Sequence, residues 1–520
     1  MNIELIFLLI YFAAVIAIGV SLTRTSSKSR AGYLLGGRSL GAPVTALRLQ
    51  STSMSGYMFQ GAGGLGYQQG YYSMWYALGD LGSAVVNLSI IGRRMRKLSQ
   101  MLGSLTSIGY LENRYPSPTI RIVASAIAVF SLFFYVLAQL LAGGQGLSLV
   151  TGLDLNVALM IAIGIILIYT FLGGYLAVAY TGFMQAIVMI LGMVWILVAT
   201  VNHVGGLTAG HEALGAINEN LLTMWGAEGQ YLGQWGIIIG AILVFAVGGM
   251  GWPHVTVGHM SMKRSSIARD ASLYATLANL MFIPSAYLIG MLGLLIVPNL
   301  DNPEMAIMEI AYVVLPPFAV GLVMAAIMAA IMSTADALLL QTGTIVSHDI
   351  IARFFKRGMD ERTAVRVSRY TILVIALVGL SFAIIRPPGV FEIVVFSTSV
   401  LGSAFAPVYV CAVWWKKANA PGALASMLAG AGGAIAAELL GLSDSIGLDP
   451  MLVGLGLSIT AIISVSLLTQ KTHPVPPQIA EAVEETGRVR RIPSNLAIMQ
   501  DNALSTQRPE TADIGREERS

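Results

Sequence analysis

The 520-residue sequence predicts an all-α polytopic membrane protein with thirteen transmembrane helices, and three observations carry that prediction. Hydrophobic residues make up 56% of the chain and charged residues only 11%, with mean hydropathy +0.74, a balance that no soluble domain sustains. Apolar runs of about 20 residues, the length a helix needs to cross a bilayer, recur along the chain as far as Thr469. The basic residues are also sorted by side. Of the 30 lysines and arginines, 28 fall in the loops after the odd-numbered spans or in the tail, while the long loop from His203 to Tyr231 has none. By the positive-inside rule the N-terminus lies outside and the C-terminus in the cytoplasm, across the cell inner (cytoplasmic) membrane.

The elements follow in order. The first run, Ile3 to Leu22, has neither a basic leader nor a small-residue cleavage pattern, so it reads as a retained helix rather than a signal peptide. With the basic loop behind it, it forms an extra N-terminal unit, 1–40. Ten spans, near 41–64, 70–92, 119–149, 155–175, 181–202, 232–252, 272–297, 311–345, 367–385 and 390–415, make a core over 41–415. Two more, near 421–441 and 450–469, complete the membrane part in 416–470. The tail, 471–520, is rich in Pro, Glu, Arg and Thr, lacks hydrophobic periodicity and is expected to be disordered. Cys411 is the one cysteine, which excludes an intramolecular disulfide and a cysteine-only metal site. The net charge of +3 is sorted by side rather than gathered in a patch, so no nucleic-acid partner is expected. Nothing in the pattern fixes an oligomeric state.

Two spans are interrupted at matching places. The second runs through Ser51-Thr52-Ser53-Met54-Ser55-Gly56 into Gly61-Ala62-Gly63-Gly64, and the seventh contains Gly248-Gly249-Met250-Gly251-Trp252-Pro253. Such paired breaks free backbone carbonyls and amides where lipid cannot reach them, and they point to a transporter site. The spans are five apart, the spacing expected if spans 2–6 and 7–11 form an inverted repeat. Ordinary close packing of glycine-rich helices is the competing reading.

The ninth span carries the most informative stretch, Ala330-Ile331-Met332-Ser333-Thr334-Ala335-Asp336. Asp336 is the only charged residue between Ala311 and Gln341, and an ionisable group inside a span is read first as part of an ion or solute pathway. Ser333 and Thr334 offer hydroxyl oxygens to a hard cation such as sodium, and a helix turn puts 330, 333, 334 and 337 on one face. A small-residue packing seam remains the alternative. Solute contacts are expected from the broken spans and those crossing them. The candidates are Ser55, Gln60, Tyr135, Gln139, Met250 and Trp252, with Ser397, Thr398 and Ser399 at the site or a gate. Arg48 either binds a solute carboxylate or, the favoured reading, snorkels toward the cytoplasm, with Asp80 as a candidate partner.

Five blocks resemble the sodium:solute symporter family: Gly36-Gly37-Arg38; Gly173-Gly174-Tyr175 through Thr181; Pro253-His254 with Lys263 and Arg269; Ala330 to Thr334; and Trp415-Lys416-Lys417 with Pro421-Gly422-Ala423. The resemblance implies a five-plus-five inverted-repeat, leucine-transporter-like core with alternating access. It also implies a sodium position made by the carbonyls of Ser51, Met54 and Ala330 and the hydroxyls of Ser333 and Thr334. Three positions depart from the family pattern. Gly182 and Ser53 stand where relatives carry aspartates, and Trp252 stands where many have glutamine. Asp336 is then expected to tune the ion site, as an extra sodium ligand or as a proton acceptor.

The expected function is sodium-coupled symport of a small polar solute into the cell, the solute being a monocarboxylate, an amino acid or a pantothenate-like compound. Sodium is the coupling ion and no other cofactor is expected; solute, sodium and the lipid bilayer are the partners. Proton-coupled symport on the same fold and a non-transporting solute sensor are the rivals. Six scattered histidines without metal-site spacing speak against a membrane enzyme, and no filter repeat suggests a channel.

Overall fold

A computed structural model describes residues 3–26, 30–172, 175–356, 358–385 and 389–488. Gly173 and Gly174 of the second resemblance block, and the tail from 489 onward, lie outside the described residues. Among the described residues, nine helical stretches are long and apolar enough to cross a membrane, and three shorter apolar helices, Ile3–Ile18, Leu155–Ile168 and Trp235–Ala246, stand beside them.

The helices that position the site are α1 (Ile3–Ser26), α2 (Ala42–Ser53), α3 (Gly63–Gln69), α4 (Met74–Asn87) and α5 (Arg93–Met101), then α6 (Pro118–Thr151), α7 (Leu155–Leu172) and α8 (Tyr175–His203). They are followed by α9 (Trp235–Ala246), α10 (Pro253–Met260), α11 (Ile267–Gly293), α12 (Ala306–Val314), α13 (Pro317–Thr344), α14 (Glu361–Ile384) and α15 (Val390–Trp414). Two final spans, α16 (Ala420–Leu439) and α17 (Pro450–Leu468), pack on each other, and α18 (Pro477–Glu485) follows. Their ends are written locally. Proline opens α6, and Gly152, at φ 69°, takes the left-handed conformation that stops it. The side chains of Asn419 and Asp449 cap α16 and α17 by accepting from the amides of Gly422 (3.1 Å) and Met451 (2.8 Å).

Both expected breaks are present. α2 stops at Ser53, Met54 turns out of the helix at ψ 60°, and the chain resumes through a π-type turn, Met58–Ala62, into α3. α9 gives way to a 3₁₀ turn, Gly248–Gly251, and Trp252 is extended (φ −73°, ψ 116°) before Pro253 opens α10. Pro253 dictates that conformation, because its ring excludes the helical form of the residue before it.

α13 is the centre of the molecule. It is buried almost throughout and packs against α1, α2, α6 and α8. Close backbone approach holds α3 to α11: a Cβ on Gly290 would fall 2.0 Å from the Gly63 carbonyl, so only glycine fits there. Where the basic loops gather, Arg121 pairs with Glu112 (2.6 Å) and Asp349 (2.7 Å), and Arg353 also pairs with Glu112 (2.7 Å).

Two expectations need correction. The run 311–345 is not one helix: Pro316 and Pro317 divide α12 from α13, since proline cannot donate the amide that would continue the first. The stretch from 471 is not structureless either. Ile479, Ala482 and Val483 give α18 an apolar face, which is buried near α5 and α15.

Candidate ion and solute site

The break in α2 leaves the last carbonyls of that helix without amide partners, and α13 supplies them with hydroxyls. Ser333 Oγ lies 2.7 Å from the Ser51 carbonyl oxygen and 3.0 Å from that of Ala330. Thr334 Oγ1 donates to the Thr52 carbonyl at 3.1 Å and approaches that of Ser51 at 3.5 Å. Four of the five expected sodium-ligating residues thus meet between the broken helix and α13, and Thr52 joins them unexpectedly. Met54 is buried at the end of α2, where its amide closes the last turn on Gln50 at 2.7 Å.

The donor set suits a hard monovalent cation: oxygens only, with no full charge. A hydroxyl can turn its proton away and present a lone pair, so each Ser and Thr contact can exchange a hydrogen bond for a metal contact. Oxygens about 2.4 Å from a cation and at right angles lie about 3.4 Å apart, so the Ser51–Ser333 contact must open by several tenths of an ångström to admit one.

Asp336 does not join this group. Its Oδ1 accepts from Thr170 Oγ1 on α7 at 2.7 Å, and its Oδ2 is buried without a partner. Two residues beyond Thr334, it points to a different face of α13. Tyr11 on α1 lies close enough to feel its charge, and its hydroxyl accepts from Gln185 at 3.0 Å. Position 182 behaves differently. A Cβ there would lie 2.8 Å from Ser51 Oγ, so a carboxylate at 182 would stand beside the ion position, and Gly182 leaves that place uncharged.

The predicted solute residues form a chain of contacts between the two breaks. Gln139 Oε1 accepts from the Gly56 amide at 3.0 Å, and Gln60 Nε2 donates to the Ala142 carbonyl at 3.1 Å, tying the first break to α6. Tyr135 faces Ser55 and sets its ring edge against Trp252 (5.6 Å), which stacks on His254 (5.4 Å). Met250 is buried in the second break, and Thr398 of α15 packs on that break through Gly248. Gln60 Oε1, Gln139 Nε2, Tyr135 OH, Trp252 Nε1, both ring nitrogens of His254, and the hydroxyls of Thr398 and Ser399 are buried and lack hydrogen-bond partners. Ser397 is satisfied by the Ser131 carbonyl at 2.8 Å. Unpaired buried polar atoms are costly, and several of them stand at or beside the two breaks.

Arg48 is placed otherwise than expected. It donates to the His254 carbonyl at 3.1 Å and lies 4.9 Å from the Tyr175 ring centre, and among the described residues no ion pair joins it to Asp80. Asp80 instead lines a cavity with Gln50, Ser53, Asn87, Trp252 and His259. Sequence reasoning passed over His254, although it stands in the quoted Pro-His block. It treated Asp80 only as a partner for arginine, although the rule that singled out Asp336 applies equally to it.

Comparisons with known proteins give the family. The profile of the sodium:solute symporter family matches residues 33–430. The chain belongs to that family. The symporter is 29% identical over 479 residues to the osmoregulated proline transporter OpuE of Bacillus subtilis (strain 168), covering 91% of this chain and 96% of that protein. Against the high-affinity proline transporter PutP of the same organism it is 29% identical over 447 residues, 84% of this chain and 92% of the relative. The sodium/proline symporter of Staphylococcus aureus (strain JH9) is 28% identical over 483 residues, 90% of this chain and 93% of the relative. In fold the symporter is similar to a Na⁺-coupled sialic acid symporter, with TM-score 0.73 at 17% identity over 90% of this chain and 98% of the other. It is also similar to the nucleobase-cation-symport-1 transporter MHP1, with TM-score 0.57 at 17% identity over 87% and 98%. The protein is a membrane transporter of the symport type and not an enzyme.

Proposed function

We propose that this symporter imports proline, or a close amino-acid relative, together with sodium across the cytoplasmic membrane. The meeting of the Ser51, Thr52 and Ala330 carbonyls with the Ser333 and Thr334 hydroxyls carries the ion half of that reading. The relatives named proline transporters support the solute half. Among monocarboxylates, pantothenate-like compounds and amino acids, those names favour the last. Ser55, Gln60, Tyr135, Gln139, Met250 and Trp252 contact the solute, and Arg48 braces the second break through the His254 carbonyl rather than binding it.

In this reading the chain crosses the membrane thirteen times, N-terminus outside, with spans 2–6 and 7–11 as an inverted repeat whose two breaks face each other. Sodium bound by Ser51, Met54, Ala330, Ser333 and Thr334 holds α2 to α13, favours the outward-facing state and completes the solute pocket. Each sodium moving down about 100 mV contributes about 2.3 kcal/mol. Gly182 leaves the neighbourhood of Ser51 without a carboxylate, so one sodium accompanies each solute.

A second reading rests on Asp336, a buried carboxylate with one oxygen on Thr170 and the other unpaired. There a proton on Asp336 is the coupling ion or modulates the sodium cycle. Uptake of labelled proline into proteoliposomes under an inward sodium gradient, a potassium gradient and a proton gradient separates the readings. Uptake driven by sodium alone supports the first, uptake driven by protons in potassium establishes the second, and absence of proline uptake under all three refutes the solute assignment.

A further inference from the structure

We propose that Asp80 is the counter-ion for a protonated amine on the transported solute, which makes ammonium-bearing compounds the substrate class and excludes nitrogen-free carboxylates. The inference deepens the proposed function and rests on its placing of the solute between the two broken helices.

Asp80 sits on α4, 4% exposed, and its Oδ2 has no hydrogen-bond partner. It lines a cavity that reaches both breaks: Ser53 comes from the first, and Gly249 and Trp252 from the second. Among the described residues no lysine or arginine pairs with it. Arg48, an arginine buried in a neighbouring helix, is held by the His254 carbonyl and the Tyr175 ring. His259 lines the same cavity, with Nε2 on Asn87 Oδ1 at 2.7 Å and Nδ1 free of partners. The Tyr57 hydroxyl, in the first break, faces the Asp80 carboxyl and is itself 2.5 Å from the Tyr287 hydroxyl of α11.

A carboxylate at this depth is expensive unless a cation meets it, and the described residues supply none. Sodium is the poorer fit, because a hard cation wants several oxygens, and here Asn87 commits its side-chain oxygen to His259 while Ser53 and Ser83 turn their hydroxyls to helix carbonyls. An alkylammonium group fits better. It brings N–H donors to Oδ2, and its charge can rest against the rings of Phe245 and Trp252, which also line the cavity. Asp336 offers no such arrangement, since its carboxyl leans on Thr170.

The test uses the full-length purified protein. Melting shifts are measured in sodium and in potassium with proline, alanine and γ-aminobutyrate, and beside them pyruvate, pantothenate and tetrahydrofuran-2-carboxylate, which is proline with its amine replaced by an ether oxygen. The expected result is stabilisation by at least one amine-bearing solute, with tetrahydrofuran-2-carboxylate at least about 30-fold weaker than proline where proline binds. Asp80→Asn is expected to abolish that discrimination while keeping the sodium-induced shift, which certifies its fold, and Asp80→Glu restores part of it. Stabilisation by pyruvate or pantothenate instead of any amine overturns the assignment while leaving sodium-coupled symport intact, as does an Asp80→Asn variant with undiminished discrimination. Amine binding that is lost in Asp80→Asn but indifferent to sodium upholds Asp80 and refutes the coupling.

Discussion

Replacing Ser333 with alanine separates the ion's contribution from that of the hydroxyl itself. Ser333 Oγ is buried, 2.7 Å from the Ser51 carbonyl and 3.0 Å from that of Ala330. Its loss removes a hydrogen bond worth about 1 kcal/mol net and leaves Ser51 with only the 3.5 Å approach of Thr334, a desolvation cost of about 1–3 kcal/mol. That cost is the same in sodium and in potassium. The ion's share is separate. For a site with Kd of about 1 mM, sodium at about 100 mM stabilises the folded state by about 2.7 kcal/mol. Losing one ligating oxygen, taken as about 2 kcal/mol like a hydrogen bond to a charged group, weakens Kd about 30-fold, and the same sodium then contributes only about 0.9 kcal/mol. Thermal melts of wild type and Ser333→Ala in matched sodium and potassium read both quantities. The variant is expected to melt lower in potassium and to lose about two thirds of the sodium increment. A lowered potassium baseline with the sodium increment whole makes Ser333 a packing hydroxyl and removes the ion from between α2 and α13.

Three further outcomes are expected. Gly290→Ala forces a methyl to 2.0 Å from the Gly63 carbonyl, and because both partners are backbone α3 must part from α11; a loss of about 3 kcal/mol is expected from denaturation in mild detergent. Burial raises the Asp449 carboxyl from 3.8 to about 7, so its ionisation opposes folding: that stability is full below about pH 4 and is lost as pH rises toward 7, by at most about 4 kcal/mol. Asp449→Asn keeps an oxygen for the Met451 amide, so its melting point is expected to exceed wild type at pH 8 and to match it at pH 4. Asp336→Asn keeps an acceptor for Thr170 but cannot take up a proton, so the sodium increment is expected to survive while the pH profile of uptake flattens. Both profiles unchanged would assign Asp336 to packing alone.

What the sequence made legible is what neighbouring residues decide. Glycine runs and Pro253 mark both helix breaks, because a missing Cβ or a missing amide acts on the nearest turn. Ser333 and Thr334 could be read as ligands because successive positions in one apolar helix fix which face they share, although their partner carbonyls, 282 and 283 residues away, came only through the family resemblance. The misreadings concern long-range pairing. Arg48 and Asp80 attract each other on paper, but a backbone carbonyl and a tyrosine ring capture the arginine, and no linear pattern announces either. α18 has only nine residues with three apolar positions buried, too short a period to stand out from a polar tail.

The distribution of buried charge ties these observations together. Family resemblance puts aspartates at positions 53 and 182, where this chain has serine and glycine, and by sequence alone both carboxylates are lost. In three dimensions they are not equivalent. Position 182 abuts Ser51 Oγ, and no buried carboxylate among those described here takes its place at the ion position: Asp336 is turned toward Thr170, and Asp80 lies across α2. Position 53 lines the same cavity as Asp80, so the negative charge absent from the second span returns to that cavity from α4. In the proposed reading a solute amine therefore still finds a carboxylate, whereas a second sodium finds none beside Ser51. On that reading substrate recognition and ion stoichiometry, which a shared pair of aspartates would link, rest on different helices and can change independently.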